Sequence, residues 1–296
     1  MKDRFYKEVK KLSGVRVFKN INVKEDTNFR IDAYFAYKIE IASFFVVKKV
    51  FRLIERYKKK FYILGKGSNV LLANEYYDAV LVRLVPINNK HLSVVFGGDN
   101  LNYLNDRYLQ KGISSLDFLC GVPCSIGGAI CMNAGAFQQS IADVIEYVYV
   151  YDIDASKFSV FKNDECGFSY RHSYFKNKNL LIMGAKIKLI HMSCDELRNL
   201  HNYRIITRQK KLPLEYPNLG SIFKNPDGLK VGKLVDDLNL KGLKIGGSMI
   251  SLKHGNVIVN YDNGKAKEVL KLIEIIKEEV YIKYKIDLEL EIIIFK

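Results

Sequence analysis

The alternation of apolar and polar residues along the chain predicts interleaved helices and strands. Apolar residues at helical spacing indicate helices, and runs rich in β-branched and aromatic residues indicate strands. The predicted helices cover residues 2–12, 40–60, 99–110, 195–210, 229–238 and 265–284. The predicted strands cover 28–38, 61–73 on both sides of a glycine loop, 79–85, 92–96, 144–161 in two runs, 180–190, 256–260 and 287–295. This mixture favours an α+β protein.

The pattern changes near residues 191–196, where a long strand-rich region gives way to a helix. We therefore place a domain boundary between residues 194 and 195, with a smaller α+β domain over 195–296. After the first predicted helix, the region 1–194 continues as strand, helix and strand, with a glycine loop at the end of a strand. We divide this region into two lobes near residue 74. A chain of 296 residues is long enough for this arrangement.

Two glycine-rich segments are the strongest chemical signal in the pattern. Residues 121–137 contain four glycines, and residues 64–72 contain a tight Gly-x-Gly-Ser-Asn turn between two apolar runs. Few side chains cover such backbone, so its N–H groups can converge on a phosphate, with Ser125 and Asn133 as polar tips. Either segment alone is better explained by a surface turn and a crowded helix-packing site than by a phosphate cradle. Together they predict a two-loop cradle for a diphosphate.

The charge balance adds little to this picture. Lys and Arg number 47 against 32 Asp and Glu, which gives a formal net charge of +15. A basic balance is compatible with nucleic acid, an anionic membrane surface or a phosphate-bearing substrate. The basic residues are scattered, however, and the densest runs, 58–60 and 208–211, are short. No RNA- or DNA-binding signature accompanies them, so we predict neither nucleic-acid binding nor membrane insertion.

The cysteines and the first residues favour a cytoplasmic protein. Five cysteines without Cys-x-x-Cys spacing argue against a disulfide framework and against a zinc site. The first eight residues are charged and amphipathic, unlike a signal peptide. No run reaches the roughly 18 apolar residues of a membrane span. We expect a cytoplasmic monomer with no bound metal.

Three polar residues stand out beside the glycine segments. Arg171 lies in a turn between strands, and Ser221 follows a glycine in a turn closed by a proline. Glu291 alternates with apolar residues on the last predicted strand, so it lies on the face opposite to them. Taken singly, these residues are better explained by a surface salt bridge for Arg171, a helix or turn cap for Ser221 and a solvated strand face for Glu291.

Nine motifs in order make the chain resemble the UDP-N-acetylenolpyruvoylglucosamine reductases, the flavoenzymes called MurB, over nearly its whole length. They begin at residues 65, 121, 132, 170, 213, 220, 246, 253 and 288, and read Gly-Lys-Gly-Ser-Asn, Gly-Val-Pro-Cys-Ser-Ile-Gly-Gly-Ala, Met-Asn-Ala-Gly-Ala, Tyr-Arg-His-Ser, Pro-Leu-Glu-Tyr-Pro, Gly-Ser-Ile-Phe-Lys-Asn-Pro, Gly-Gly, Lys-His-Gly-Asn and Leu-Glu-Leu-Glu. The Pro-Leu-Glu-Tyr-Pro segment is similar to the type II branch of the family.

The resemblance implies a fold and an activity. Residues 1–194 would form a two-lobed FAD-binding module of the PCMH/VAO type, and residues 195–296 the substrate-binding domain of the family. The enzyme would be a UDP-N-acetylmuramate dehydrogenase that uses FAD and NADPH. It would reduce the enolpyruvyl ether of UDP-N-acetylglucosamine to UDP-N-acetylmuramate, a peptidoglycan precursor.

The resemblance also assigns residues to roles. Ser221 would donate a proton, Arg171 would bind the substrate carboxylate, and Glu291 would stabilise the enediolate. Because a charged carboxylate would oppose an anion, we expect Glu291 to be protonated or to act as a hydrogen-bond donor. Lys211, Lys224 and Asn225 would contact the uridine diphosphate. The FAD-binding residues would be Gly65, Lys66, Gly67, Ser68, Asn69, Gly121, Pro123, Ser125, Gly127, Gly128, Asn133, Gly135 and Ala136.

The chain departs from the family pattern at several positions. Ala33 stands where an early Arg-x-Gly-Gly motif has glycine, Cys124 replaces a glycine, and Phe137 stands where tyrosine is frequent. Two alternatives to the reductase are therefore kept. One is another flavoprotein oxidoreductase acting on a sugar or alcohol, although no histidine lies in 64–72 or 121–137 for covalent flavin attachment. The other is a basic nucleic-acid-binding protein without catalytic activity.

Overall fold

The structure, a computed structural model, describes residues 3–87 and 91–296. The described residues form seven α-helices: α1 Arg4–Lys10, α2 Val47–Arg56, α3 Leu101–Leu109, α4 Ile126–Cys131, α5 Cys194–Lys211, α6 Val231–Asp237 and α7 Ala266–Tyr284. The same residues form fifteen strands: β1 Val15–Asn22, β2 Tyr34–Ile41, β3 Phe61–Ile63, β4 Val70–Leu72, β5 Tyr76–Leu84, β6 Val94–Phe96, β7 Gly135–Ala136, β8 Gln139–Ser140, β9 Ile145–Asp152, β10 Lys157–Lys162, β11 Leu180–Ile187, β12 Lys244–Ile245, β13 Ser248–Ile250, β14 Ile258–Asn260 and β15 Ile293–Phe295.

The chain divides into two compact units that do not follow sequence order. The larger unit comprises Met1–Ile21, Phe35–Lys66 and Asp78–Ile205, and the smaller unit comprises Asn22–Tyr34, Gly67–Tyr77 and Ile206–Lys296. This division falls inside α5, between residues 205 and 206. The predicted domain boundary between 194 and 195 and the lobe division near 74 stay predictions.

The larger unit contains two four-stranded sheets that share a core. One sheet has the order β1-β2-β5-β3, with β3 parallel to β5, and the other is antiparallel with the order β10-β9-β11-β6. The amphipathic helix α2 buries Val47, Val50 and Phe51 in this core. Burial of each such side chain stabilises the fold by about 1.5–3 kcal/mol. Helix α1 packs on the same core and begins where the Asp3 carboxylate accepts the Tyr6 N–H at 3.0 Å.

A second core of the larger unit supports the glycine-rich helix α4. Leu101, Leu104 and Tyr108 on one face of α3 pack with Ile126 and the rest of the apolar face of α4. Their spacing of three and four residues puts them on one side of α3. The Asn100 side chain caps α3 by accepting the Asn102 N–H at 3.1 Å. The packing fixes the short helix against the sheet that carries β9 and β11.

The smaller unit has its own core around α7. This helix buries Val269, Leu272, Ile273, Ile276 and Val280, which recur at helical spacing along one face. The apolar face packs with α6 and with the antiparallel sheet β12-β13-β14. A parallel pair, β4 with β15, joins residues 70–72 to residues 293–295.

Most predicted elements are present, with several differences. The predicted helix 40–60 is shorter, because residues up to 41 belong to β2 and the helix ends at Arg56. The predicted strand 287–295 is regular only over β15 and otherwise makes an isolated bridge from Leu290 to Phe223. Strand β1, the hairpin β7–β8, the short helix α4 and strands β12 and β13 were not predicted. Residue 2, where the first predicted helix begins, lies outside the described residues.

Candidate active site

Within the larger unit the two glycine segments meet. Gly65 lies so close to the second segment that a methyl group on it would be 2.6 Å from Ser125 Oγ and 3.8 Å from Gly128 Cα. Ser125 is buried and caps α4 by accepting the Gly128 N–H at 3.2 Å. Only a residue without a side chain fits at position 65, which explains the glycine there. The predicted proximity of the two segments is present.

The second glycine segment uses most of its own N–H groups inside the protein. The first four N–H groups of α4 donate to the carbonyl of Asp99, the carbonyl of Gly97, Ser125 Oγ and the carbonyl of Ser125. Asn133 is equally engaged, because its amide donates to Ser169 and accepts the N–H of Ala142. This segment therefore offers a close backbone surface to a ligand rather than a set of N–H donors.

The first glycine loop has the opposite character. Among residues 3–87 and 91–296, nothing accepts the backbone N–H of Gly65, Lys66, Gly67 or Ser68. In the smaller unit Gly67 has φ +62°, and a methyl group on it would lie 2.5 Å from the Asp26 carbonyl oxygen. Unpartnered N–H groups on a half-buried loop are suited to an anionic ligand. The donors expected of both loops are thus concentrated in the first.

Arg171 has a strained backbone in the larger unit. Its φ is +54°, in the left-handed region, within a tight turn closed by two hydrogen bonds between Ser169 and His172. Its guanidinium donates to the Gly135 carbonyl at 3.1 Å and lies 5.2 Å from the Tyr170 ring centroid. Non-glycine residues in this conformation cluster at functional sites, so the strain adds weight to the sequence prediction for Arg171.

Ser221 and Glu291 lie on neighbouring segments of the smaller unit. The N–H of Glu291 donates to the carbonyl of Ile222 at 2.8 Å, and Leu290 bridges Phe223. Both residues are half-buried. The loop amide of Asn69 donates to the carbonyl of Glu291 at 3.0 Å, so the segment is held from two sides.

A basic pocket of about 320 Å³ opens beside Ser221 in the smaller unit. Its charged lining comes mainly from four lysines: Lys230, Lys233, Lys241 and Lys253. Lys241 pairs with Asp236 at 2.8 Å and Lys253 lies 3.8 Å from Glu215. No carboxylate of the described residues lies within ion-pair distance of the other two. The pocket therefore carries excess positive charge and suits a phosphorylated ligand.

His254 and Asn225 complete this pocket as neutral groups. Burial, together with the charge of Lys241, holds the pKa of His254 below its ordinary value. Its Nδ1 accepts the Asn256 N–H at 3.2 Å, and this bond favours the neutral ring with its proton on Nε2. The Asn225 side chain accepts the N–H of Val231 at 3.0 Å and fixes the start of α6.

The three residues predicted to bind the diphosphate are not brought together. Asn225 lines the pocket, whereas Lys224 pairs with Glu289 at 2.5 Å and Lys211 is exposed at the end of α5. The sequence did not single out the four pocket lysines. The motif Lys-His-Gly-Asn at 253–256 pointed to one of them, but lysines are frequent everywhere in this chain and gave no local contrast for the others.

Among the described residues, no helix combines the length and the apolar character needed to cross a lipid bilayer.

Two family models match the chain. Residues 41–157 match the FAD binding domain, and residues 212–295 match the C-terminal domain of UDP-N-acetylenolpyruvoylglucosamine reductase. The fold, the facing glycine segments and the first match define a protein with an FAD-binding domain. The predicted α+β class, with this domain joined to a C-terminal domain, is confirmed.

Relatives along the whole chain establish the family. The UDP-N-acetylenolpyruvoylglucosamine reductases of Carboxydothermus hydrogenoformans and Geobacillus kaustophilus are 34% and 30% identical over 300 residues, covering 98% of this chain and 98% and 97% of theirs. The crystal structure of the MurB enzyme of Thermus caldophilus has a TM-score of 0.82 at 30% identity and covers 95% of this chain and 100% of its own. The chain belongs to the UDP-N-acetylenolpyruvoylglucosamine reductase family, as its motifs predicted.

Proposed function

We propose that this chain reduces the enolpyruvyl ether of UDP-N-acetylglucosamine to UDP-N-acetylmuramate, with FAD as cofactor and NADPH as hydride donor. The single observation that carries the proposal is the position of Ser221. This hydroxyl lines a pocket with four lysines, and its segment is hydrogen-bonded to the segment of Glu291. A proton donor beside a site for a nucleoside diphosphate is the arrangement that this reduction needs.

The residues of the two glycine segments fit FAD. Gly65 and Gly67 leave no room for side chains, and the N–H groups of residues 65–68 have no acceptor among the described residues. We propose that these N–H groups hold the pyrophosphate, while Gly127 and Gly128 allow the cofactor to approach α4. Bound FAD supplies a hydride, taken from NADPH, to the vinyl carbon of the substrate.

The residues of this chain act on the charge and the proton of that reduction. We propose that Arg171 binds the substrate carboxylate, where negative charge develops. The Ser221 hydroxyl donates the proton to the neighbouring carbon, and Glu291 donates a hydrogen bond to the enediolate. The lysines of the pocket bind the diphosphate, with Asn225 beside them. The roles of Lys211 and Lys224 as diphosphate contacts have less support, since one is exposed and the other is ion-paired.

The chain is proposed to act as a cytoplasmic monomer. Five cysteines without a disulfide suit a reducing compartment. Light scattering during size-exclusion chromatography tests the oligomeric state against the chain mass of 34.1 kDa.

The test is the visible spectrum of the flavin-loaded protein under anaerobic conditions. NADPH is expected to bleach the flavin band, and the enolpyruvyl UDP-sugar is expected to restore it. Ser221→Ala is expected to slow the restoration by about 10²–10⁴-fold, because it removes a general acid, and to leave the bleaching unchanged. A protein that takes up no FAD, or one whose bleached band does not return with the sugar, contradicts the proposed function.

A further inference from the structure

The hairpin β7–β8 in the larger unit turns through two residues that are unsuited to it. Phe137 and Gln138 have φ +51° and +63°, both in the left-handed region. Two-residue hairpin turns with this geometry are usually built from Asn-Gly or similar pairs, because a Cβ disfavours it. Neither residue is of that kind. The turn must therefore be held by contacts from outside.

Arg204 on α5 supplies those contacts. Its guanidinium lies 5.4 Å from the ring centroid of Phe137, and one nitrogen donates to the side-chain oxygen of Gln139 at 3.0 Å. Arg204 therefore contacts one residue of the turn, Phe137, and the first residue of β8, Gln139. Arg204 is 8% exposed, so this contact is shielded from water and from screening by salt.

A buried carboxylate fixes the guanidinium in this position. Asp117, 4% exposed, accepts a hydrogen bond from Arg204 at 2.8 Å through one oxygen. Its other oxygen lies 2.5 Å from Nδ1 of His201, one turn before Arg204 on α5. The carboxylate holds the planar guanidinium of the arginine in one orientation. A lysine has no such planar group and cannot bind two partners in this geometry.

The other end of the same hairpin carries Arg171. The carbonyl of Gly135 accepts a hydrogen bond from the Arg171 guanidinium at 3.1 Å. A methyl group on Gly135 would lie 3.4 Å from the same guanidinium. A shift of the hairpin must move this anchor. The two arginines therefore grip one six-residue hairpin, residues 135–140, from its turn and from its base.

We infer that Asp117, His201 and Arg204 are positioning residues: they hold the hairpin 135–140 in a strained turn and, through Gly135, set the place of Arg171. The inference rests on the proposed function for the role of Arg171 in binding the substrate carboxylate. None of the three residues is required to touch substrate or cofactor.

A metal site is the competing interpretation of the same cluster. Ligand atoms of Asp117, Cys120 and His201 lie within 4.8 Å of one another. The guanidinium of Arg204 already neutralises the carboxylate, however, and a cation would have to share the Asp117 carboxylate with it. The structure favours the network of hydrogen bonds.

The test compares Arg204→Lys in two backgrounds: the native turn, and a turn carrying Phe137→Asn and Gln138→Gly, which adopts the left-handed geometry without strain. In the native turn the substitution is expected to lower the melting temperature of the cofactor-free protein by about 5 °C. In the Asn-Gly background the drop is expected to be less than half as large, because the turn no longer depends on Arg204. Arg198→Lys, an exposed residue on the same helix, is the control and is expected to change little.

The second readout separates the two half-reactions. Arg204→Lys is expected to slow flavin reoxidation by the enolpyruvyl UDP-sugar about tenfold, with flavin reduction by NADPH within about twofold of the wild type, and the Asn-Gly turn is expected to restore the lost rate. His201→Gln, which keeps a donor to Asp117, gives the same direction with a smaller effect if Arg204→Lys does not fold.

Each outcome of these two measurements bears on a different claim. If Arg204→Lys lowers the melting temperature equally in the two backgrounds, the inference is overturned, whatever the rate of flavin reoxidation by the sugar. Equal slowing of both half-reactions overturns the link to Arg171. If the wild type itself is not reoxidised by the sugar, the proposed function fails, and the melting comparison still decides whether the network holds the hairpin.

Discussion

At the scale of single residues, the glycines and the left-handed arginine show where packing and backbone conformation limit the choice of side chain. A Cβ at position 65 would clash with Ser125 Oγ, and one at position 67 would clash with the backbone of residues 26 and 27. Arg171 keeps a conformation that costs roughly 1–2 kcal/mol for a residue with a Cβ. At Gly65 and Gly67 the limit is set by neighbouring atoms of the protein itself.

Gly65→Ala is expected to weaken FAD binding by about ten- to a hundredfold. The new methyl group would lie 2.6 Å from Ser125 Oγ, and relieving such overpacking typically costs about 1–3 kcal/mol. Flavin absorbance retained after dialysis against a series of FAD concentrations measures the affinity. In a Ser125→Ala background the loss is expected to shrink, since the clashing oxygen is gone. An equal loss in both backgrounds would contradict the contact.

At the scale of elements, the sequence predicted what periodicity and glycine spacing control. Helix α7 was predicted to within one residue at its start, because its apolar residues recur along one face for five turns. The hairpin β7–β8 was missed because Phe137–Gln138 carries no turn signature; external contacts, not local preference, make it turn. The last segment was overextended because alternation continues through residues 287–292, where only a bridge forms.

The candidate site was predictable to a similar degree. Motifs of fixed spacing pointed to the glycine loops, Arg171, Ser221 and Asn225, whose roles stay predictions. The other three pocket lysines, Lys230, Lys233 and Lys241, were missed because they come from the N-terminal end of α6 and from the loop after it, and only folding gathers them beside Lys253. The Arg204 network was invisible for the same reason, since Asp117 and Arg204 are 87 residues apart.

Glu268 joins two elements of the smaller unit, so its replacement should destabilise both. One carboxylate oxygen accepts the N–H of Lys265 at 2.9 Å at the start of α7 and the N–H of Gly247 at 3.0 Å between β12 and β13. Glu268→Ala is expected to lower the free energy of unfolding by about 1–3 kcal/mol, because two donors lose their acceptor. Urea denaturation followed by circular dichroism measures the change.

The matched control lies on the same helix. Glu274 is exposed and pairs with Lys271 at 3.5 Å, so Glu274→Ala should cost less than about 1 kcal/mol. Equal losses for the two variants would show that Glu268 does not join the helix to the strands.

At the scale of the whole molecule, the positive charge is an excess that the ion pairs do not remove. Lys and Arg exceed Asp and Glu by 15, and many of the pairs are solvent-exposed, such as Arg56 with Glu8. Exposed pairs contribute about 0–1 kcal/mol each. The net balance in the folded state is therefore repulsion between like charges, which opposes compactness.

Salt should therefore stabilise this protein. The melting temperature of the cofactor-free chain is expected to rise by a few degrees between about 0.02 and 0.3 M sodium chloride, since screening weakens repulsion more than it weakens the exposed pairs. Scanning calorimetry measures the rise, and sodium acetate at the same ionic strength controls for specific chloride binding. A fall in the melting temperature would mean that the ion pairs outweigh the repulsion.

The pairing of the Glu291 segment with the Ser221 segment has a consequence for how this gene can vary. Hydrogen bonds from Glu291 to Ile222 and from Lys224 to Glu289 fix which residues face each other. Losing or gaining one codon between positions 289 and 291 would bring an apolar neighbour to the place of Glu291. This stretch therefore tolerates substitutions far more easily than insertions or deletions. Grafting it into another protein requires its length to be kept first and its residue identities second.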